Sequence, residues 1–140
     1  MTRAFSLAGL LRVREIQERA AAQRLSRAVI DAQHTEARDR SLRAHLAGAG
    51  SEAVDVRSLA ALAAARVAGR SLLADLTTLS ELQEQTVAEA RTEHAEARRA
   101  MRGLDRLAQA HAVRVRAEEL RAEQTELDEI GSRSSTEGQS

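Results

Sequence analysis

The chain has 140 residues, 43% apolar and 30% charged, with Phe5 as its one aromatic and no Trp, Tyr, Pro or Cys. A compact core of this size draws on several aromatics for buried area; here that area must come from Leu, Val and Ala, the composition of long helices. All 21 basic residues are arginine and balance 21 carboxylates, which argues against the one-sided basic surface of non-specific nucleic-acid binding, and the absence of cysteine excludes a disulfide framework, thiol nucleophile or thiolate metal site.

The first predicted helix spans about residues 5 to 46, where Leu7, Leu10, Leu11, Leu25, Ala28, Val29, Ala32, Leu42 and Leu46 form an apolar stripe. Arg14, Glu18 and Asp39 fall where a strict heptad wants apolar groups, so this helix is marginal alone. Its stretch from Phe5 to Ile16 is amphipathic but broken by Arg12, Arg14 and Glu15, which excludes a signal-peptide core. No apolar run approaches the roughly 20 residues that span a bilayer. A soluble, cytoplasmic protein is expected.

The cluster "AGAGSEAVD", with Gly48 and Gly50, marks a turn over 47–54, and Ser51 or Asp55 can cap a second helix. That helix, about residues 55 to 130, carries a 3,4 repeat through Leu59, Leu62, Leu73, Leu76, Val87, Ala90, Ala97, Met101, Leu104, Ala108 and Val115. Arg66, Gly69, Ser80, Gln83, His94 and His111 interrupt it, so the seam is thin and partly polar. A break near residues 69 to 80 is the alternative to one continuous helix, because Gly69 weakens a helix and Ser80 with Gln83 resembles a capping box. The missing Pro and second Gly favour continuity. Past His111 the apolar residues change phase to Val113, Leu120 and Leu127, the mark of a stutter.

The fold expected is all-α: two long helices in an antiparallel coiled-coil hairpin, one domain over residues 1–130, with 131–140 as a disordered tail. The helices would reach roughly 60 Å and about 110 Å. With pairing running tightly outward from the turn, the second helix beyond about residue 97 has no partner within the chain, and an uncovered apolar stripe implies one outside it.

No enzyme signature is present. The four histidines never fall at i, i+3 or i, i+4, so they do not converge on a metal, and no phosphate loop or Ser-His-Asp arrangement occurs. The carboxylates alternate with arginines, as expected of solvated helix faces. Arg98, Arg99, Arg102, Arg106, Arg114, Arg116 and Arg121 make a locally basic stretch, followed by acidic Glu123, Glu126, Asp128 and Glu129. The basic stretch is either a charged helix flank or a dock for an acidic protein groove.

The pattern Phe-x-Leu-x-x-Leu-Leu-x-x-Arg at Phe5, Leu7, Leu10, Leu11 and Arg14, followed by Glu18, Ala21 and Leu25, resembles the start of the flagellar FliJ family. "AEELRAEQTELDEI", Ala117 to Ile130, resembles its C-terminal helix, so the resemblance covers essentially the whole chain. It implies a coiled-coil component of the flagellar type III export apparatus, without catalytic role or cofactor, at the cytoplasmic face of the membrane. The implied partners are the export ATPase, whose ring assembly and activity it promotes, the large membrane export-gate protein, and export chaperones; nucleic acid and small-molecule substrates are not among them. ATPase-facing candidates are Phe5, Leu7, Leu10, Leu11, Leu120, Leu127 and Ile130. For the gate, the family's aromatic and histidine are missing between Gly50 and His94, which leaves Leu72, Leu73, Leu76 and Leu79 as the apolar surface there. Two other readings compete: a generic coiled-coil adaptor or homodimeric scaffold pairing through residues 87–115, and a membrane-surface helix at Phe5 to Ile16.

Overall fold

A computed structural model of the protein describes residues 2–49 and 55–138, with side chains described over 6–49, 55–135 and 138. Two helices, α1 (Thr2–Gly48) and α2 (Val56–Glu137), pack against each other, and the described residues contain no strand. The helical hairpin expected from the two apolar stripes is therefore the fold. α2 runs unbroken through Gly69 and Ser80, so the weak points there do not end it.

Several local signals resolve in the structure. Asp55 caps α2: its Oδ1 accepts the Ser58 backbone N–H at 2.7 Å and the Ser58 hydroxyl at 2.6 Å, while Leu59 N donates to the Asp55 carbonyl at 3.0 Å. The other cap candidate, Ser51, lies outside the described residues. The same two hydrogen bonds hold the Asp55 carboxyl below its ordinary pKa. A group depressed in the folded state stabilises it above the ordinary carboxylate pKa and stops doing so as pH falls through the depressed value. Asp55→Ala is thus expected to fray the start of α2 at neutral pH, read as a shifted Ser58 amide resonance, and acidification of the wild type should produce the same shift.

At the other junction α1 closes at Gly48 without a left-handed glycine, since no described glycine has positive φ. α2 also continues past Ile130, where the sequence placed the start of a disordered tail, to Glu137. Nothing in "GSRSSTE" forbids this, because no proline intervenes, and the Ser132, Ser134 and Ser135 hydroxyls donate to carbonyls three or four residues back.

The contacts gather into two compact units. In the unit Ile16–Arg98 the most enclosed residues are small. Ala21, 2% exposed, Ala28 and Thr35 recur every seven residues on α1, with Ala90 and Gly69 buried on α2. Small seam residues let two backbones approach closely. At Gly69 the approach is closest: a Cβ there would overlap Leu46 Cδ2 and sit 3.1 Å from its Cγ. The glycine read as a weak point is the space that Leu46 occupies.

With Leu46 at Gly69, the turns of α2 from Val56 to Ala68 extend past the end of α1, and Val56, Leu59 and Val67 are exposed. This displaces the register from the tightly paired one expected of the sequence. In the unit made of Met1–Glu15 and Arg99–Ser140, Leu7 and Leu11 consequently lie against Ala108, His111 and Val115. Pairing therefore continues well beyond residue 97, and Met101, Leu104 and Ala108 are half-buried, not uncovered. The uncovered part of α2 starts near Glu118, from which every residue through Ser135 is exposed.

The polar residues of the seam also find places. His94 and Glu18, each an interruption of its own stripe, meet part-buried with His94 Nε2 2.8 Å from Glu18 Oε1. The carboxylate accepts, so the imidazole carries its proton on Nε2. Asp39 turns along its own helix to Arg43, accepting from Nε at 2.7 Å and a terminal guanidinium nitrogen at 3.4 Å, which raises the Arg43 pKa. Ser80 and Gln83 are half-buried on α2, with Ser80 against Val29 and Ala32, so their capping-box spacing is incidental. Gln83 Oε1 is buried without a hydrogen-bond partner. Gln83→Leu should therefore raise stability by about 1 kcal/mol, measured as a higher midpoint in thermal unfolding followed by circular dichroism; a lowered midpoint would mean that this oxygen is satisfied.

Candidate partner-binding surfaces

Four of the ATPase-facing candidates, Phe5, Leu7, Leu10 and Leu11, belong to the start of α1. Leu7 and Leu11 are half-buried and line one open groove with Ala108, His111, Ala112, Val115, Arg116 and Glu119. Leu10, next to them, is 49% exposed. The reason is helical geometry: Leu7 and Leu11 are four residues apart and share the face toward α2, whereas Leu10 is rotated toward solvent. A second groove brings Ser6 and Leu7 to Leu107, His111, Arg114 and Glu118. Phe5 belongs to α1, but its side chain lies outside the described residues.

The α2 candidates of the same unit behave differently. Leu120, Leu127 and Ile130 are all more than half exposed, and they line neither of the two grooves at the start of α1. Leu107 and Val113 join them as exposed apolar groups that site reasoning from the sequence left out. For Val113 the signal was available, in its seven-residue spacing from Leu120. Leu107 belongs to the apolar stripe beyond residue 97 that the sequence left uncovered.

In the unit Ile16–Arg98 the gate candidates divide by face. Leu73 and Leu76 are half-buried in the seam, whereas Leu72 and Leu79 are exposed, together with Leu82. The structure thus separates a packing pair from an accessible pair that the sequence grouped by proximity. A rim contact, Arg24 Nε to Glu93 at 3.4 Å, is exposed on both sides and adds little stability.

Among the described residues no three His, Asp or Glu side chains gather as a metal site, and no helix is long and apolar enough to cross a membrane. The arrangement offers exposed leucines and arginines on helix faces.

The chain matches the family described as Flagellar FliJ protein over residues 3–140. It belongs to the FliJ family. As a FliJ family member it is a helical coiled-coil component of the flagellar protein export apparatus, a non-catalytic one. Neither the curated proteins nor the solved structures compared with the chain give a match.

Proposed function

We propose that the chain binds the flagellar export ATPase through the unit that holds the start of α1 and the last third of α2, promotes the ATPase's assembly and turnover, and links it to the membrane export gate. The observation that carries this reading is the apolar surface of that unit: Leu10 on α1 and Leu120, Leu127 and Ile130 on α2 stand exposed on a chain that belongs to an export-apparatus family. A stripe of leucines on an α-helix is what a helix-in-groove or ring-lining partner recognises. Phe5, Leu7 and Leu11 complete the proposed surface. The gate contact falls to Leu72 and Leu79, with Leu73 and Leu76 holding that stretch of α2 against α1. Such a protein works at the cytoplasmic face of the membrane, where export chaperones are further candidate partners.

The test is capture of the purified chain by the export ATPase of the same genome, with ATP turnover measured alongside. Saturable capture that raises turnover is expected. Absence of capture at every concentration would leave a generic coiled-coil adaptor as the reading.

A further inference from the structure

Val113, Leu120 and Leu127 recur every seven residues on α2 and are 71%, 59% and 67% exposed. They stand on the side of the helix away from Ala108, His111 and Val115, which face α1. Ala117 and Gln124 fall between them, so the spacing alternates four and three, the periodicity of a helix seam. Among the described residues nothing covers Val113, Leu120 or Leu127 of this seam, and Ala117 between them is half-buried.

Its charges run in one direction. On the flanks of the seam Arg114, Arg116 and Arg121 come first and Glu123 and Asp128 follow, and none of these makes an ion pair among the described residues. A parallel copy would set each block beside its like. A reversed copy does the opposite: with Leu120 facing the partner's Leu120, Val113 meets the partner's Leu127, Arg116 meets the partner's Glu123, and Arg114 meets the partner's Asp128. Two-fold symmetry makes each of these contacts twice, except the Leu120 pair on the axis, which occurs once. The one like-charge meeting, Arg121 with its copy near the axis, is on long stems that keep the guanidinium groups in water.

We propose that this face of α2 is a self-association surface through which two copies pair antiparallel. Two heptads of a single helix fall short of the roughly 1,200 Å² that stable interfaces bury, so the dimer forms and dissociates with concentration. Because it covers Leu120 and Leu127, it shields in the free protein the leucines proposed above for the ATPase. The inference does not rest on that reading, and its test needs no second protein.

Sedimentation equilibrium of the full chain should give a mass rising from 15.2 kDa toward twice that value with concentration, less steeply at high salt. Leu120→Asp should stay monomeric throughout with an unchanged circular dichroism spectrum. The chain has no cysteine, so single replacements report geometry directly: Leu120→Cys should form a disulfide-linked dimer on mild oxidation, and Val113→Cys should not. A wild-type mass fixed at the monomer value would overturn the proposal, as would equal crosslinking at both positions, the signature of a parallel pair. If Leu120→Asp unfolds, Arg116→Glu decides instead: it should weaken association at least several-fold, and adding Glu123→Arg should restore it.

Discussion

Ala21→Glu is expected to destabilise the helical pair by about 3 kcal/mol or more, because it forces a charged side chain into a seam with neither space nor a partner for it. Ala21 is 2% exposed and repeats with Ala28 and Thr35 every seven residues, so the close approach there depends on side chains no larger than these. For a chain of this length such a loss lowers the thermal midpoint by roughly 10 °C. Gln23→Glu, two residues away on the exposed face, adds the same carboxylate and should change stability by less than about 0.5 kcal/mol. Thermal unfolding followed by circular dichroism separates the two. Equal midpoints would show that the seam opens at no cost and that these alanines do not hold the helices together.

The second large effect concerns the ATPase. The variant with Leu7, Leu10 and Leu11 all changed to Ser should lose capture altogether, but two of those residues also pack on α2, so the loss mixes recognition with fraying of the helix start. Leu10→Ser separates the effects. Leu10 is half exposed and lines neither groove, so removing it should leave the thermal midpoint within a few degrees while weakening ATPase binding about tenfold, the equivalent of about 1.4 kcal/mol at a buried anchor. If Leu10→Ser and Leu120→Ser both bind as the wild type does, while the triple variant fails only in proportion to its lost helix, the proposed surface is wrong and the leucines are structural.

How far the sequence reached depended on whether a signal is local. The 3,4 repeat of α2 and the glycine cluster at residue 48 are local, and together they specify a hairpin. The register is not. It follows from where Leu46 comes to rest, and that is Gly69, a residue whose local reading is a helix weak point. For the same reason Glu18 and His94 read separately as interruptions, and only the register shows that they satisfy each other. Ser80 and Gln83 reproduce the spacing of a cap by coincidence, since a cap and a polar seam position three residues from another look alike until the partner helix is present. The candidate surfaces were legible as apolar stripes, but the division of Leu72 and Leu79 from Leu73 and Leu76, or of Leu10 from Leu7 and Leu11, required the facing helix.

The seam of the unit Ile16–Arg98 also has a mechanical meaning. Alanines and a threonine present little relief, so one helix that slid along the other by a heptad would meet nearly the same contour and lose little packing. Two places would notice: the slide carries Leu46 off the space at Gly69, and it parts the Glu18 and His94 hydrogen bond inside a half-dry groove. Resistance to shear is thus concentrated at two stops, one steric and one polar, on an otherwise smooth track, and apolar replacement of Glu18 and His94 would leave Leu46 at Gly69 as the stop that still holds the step.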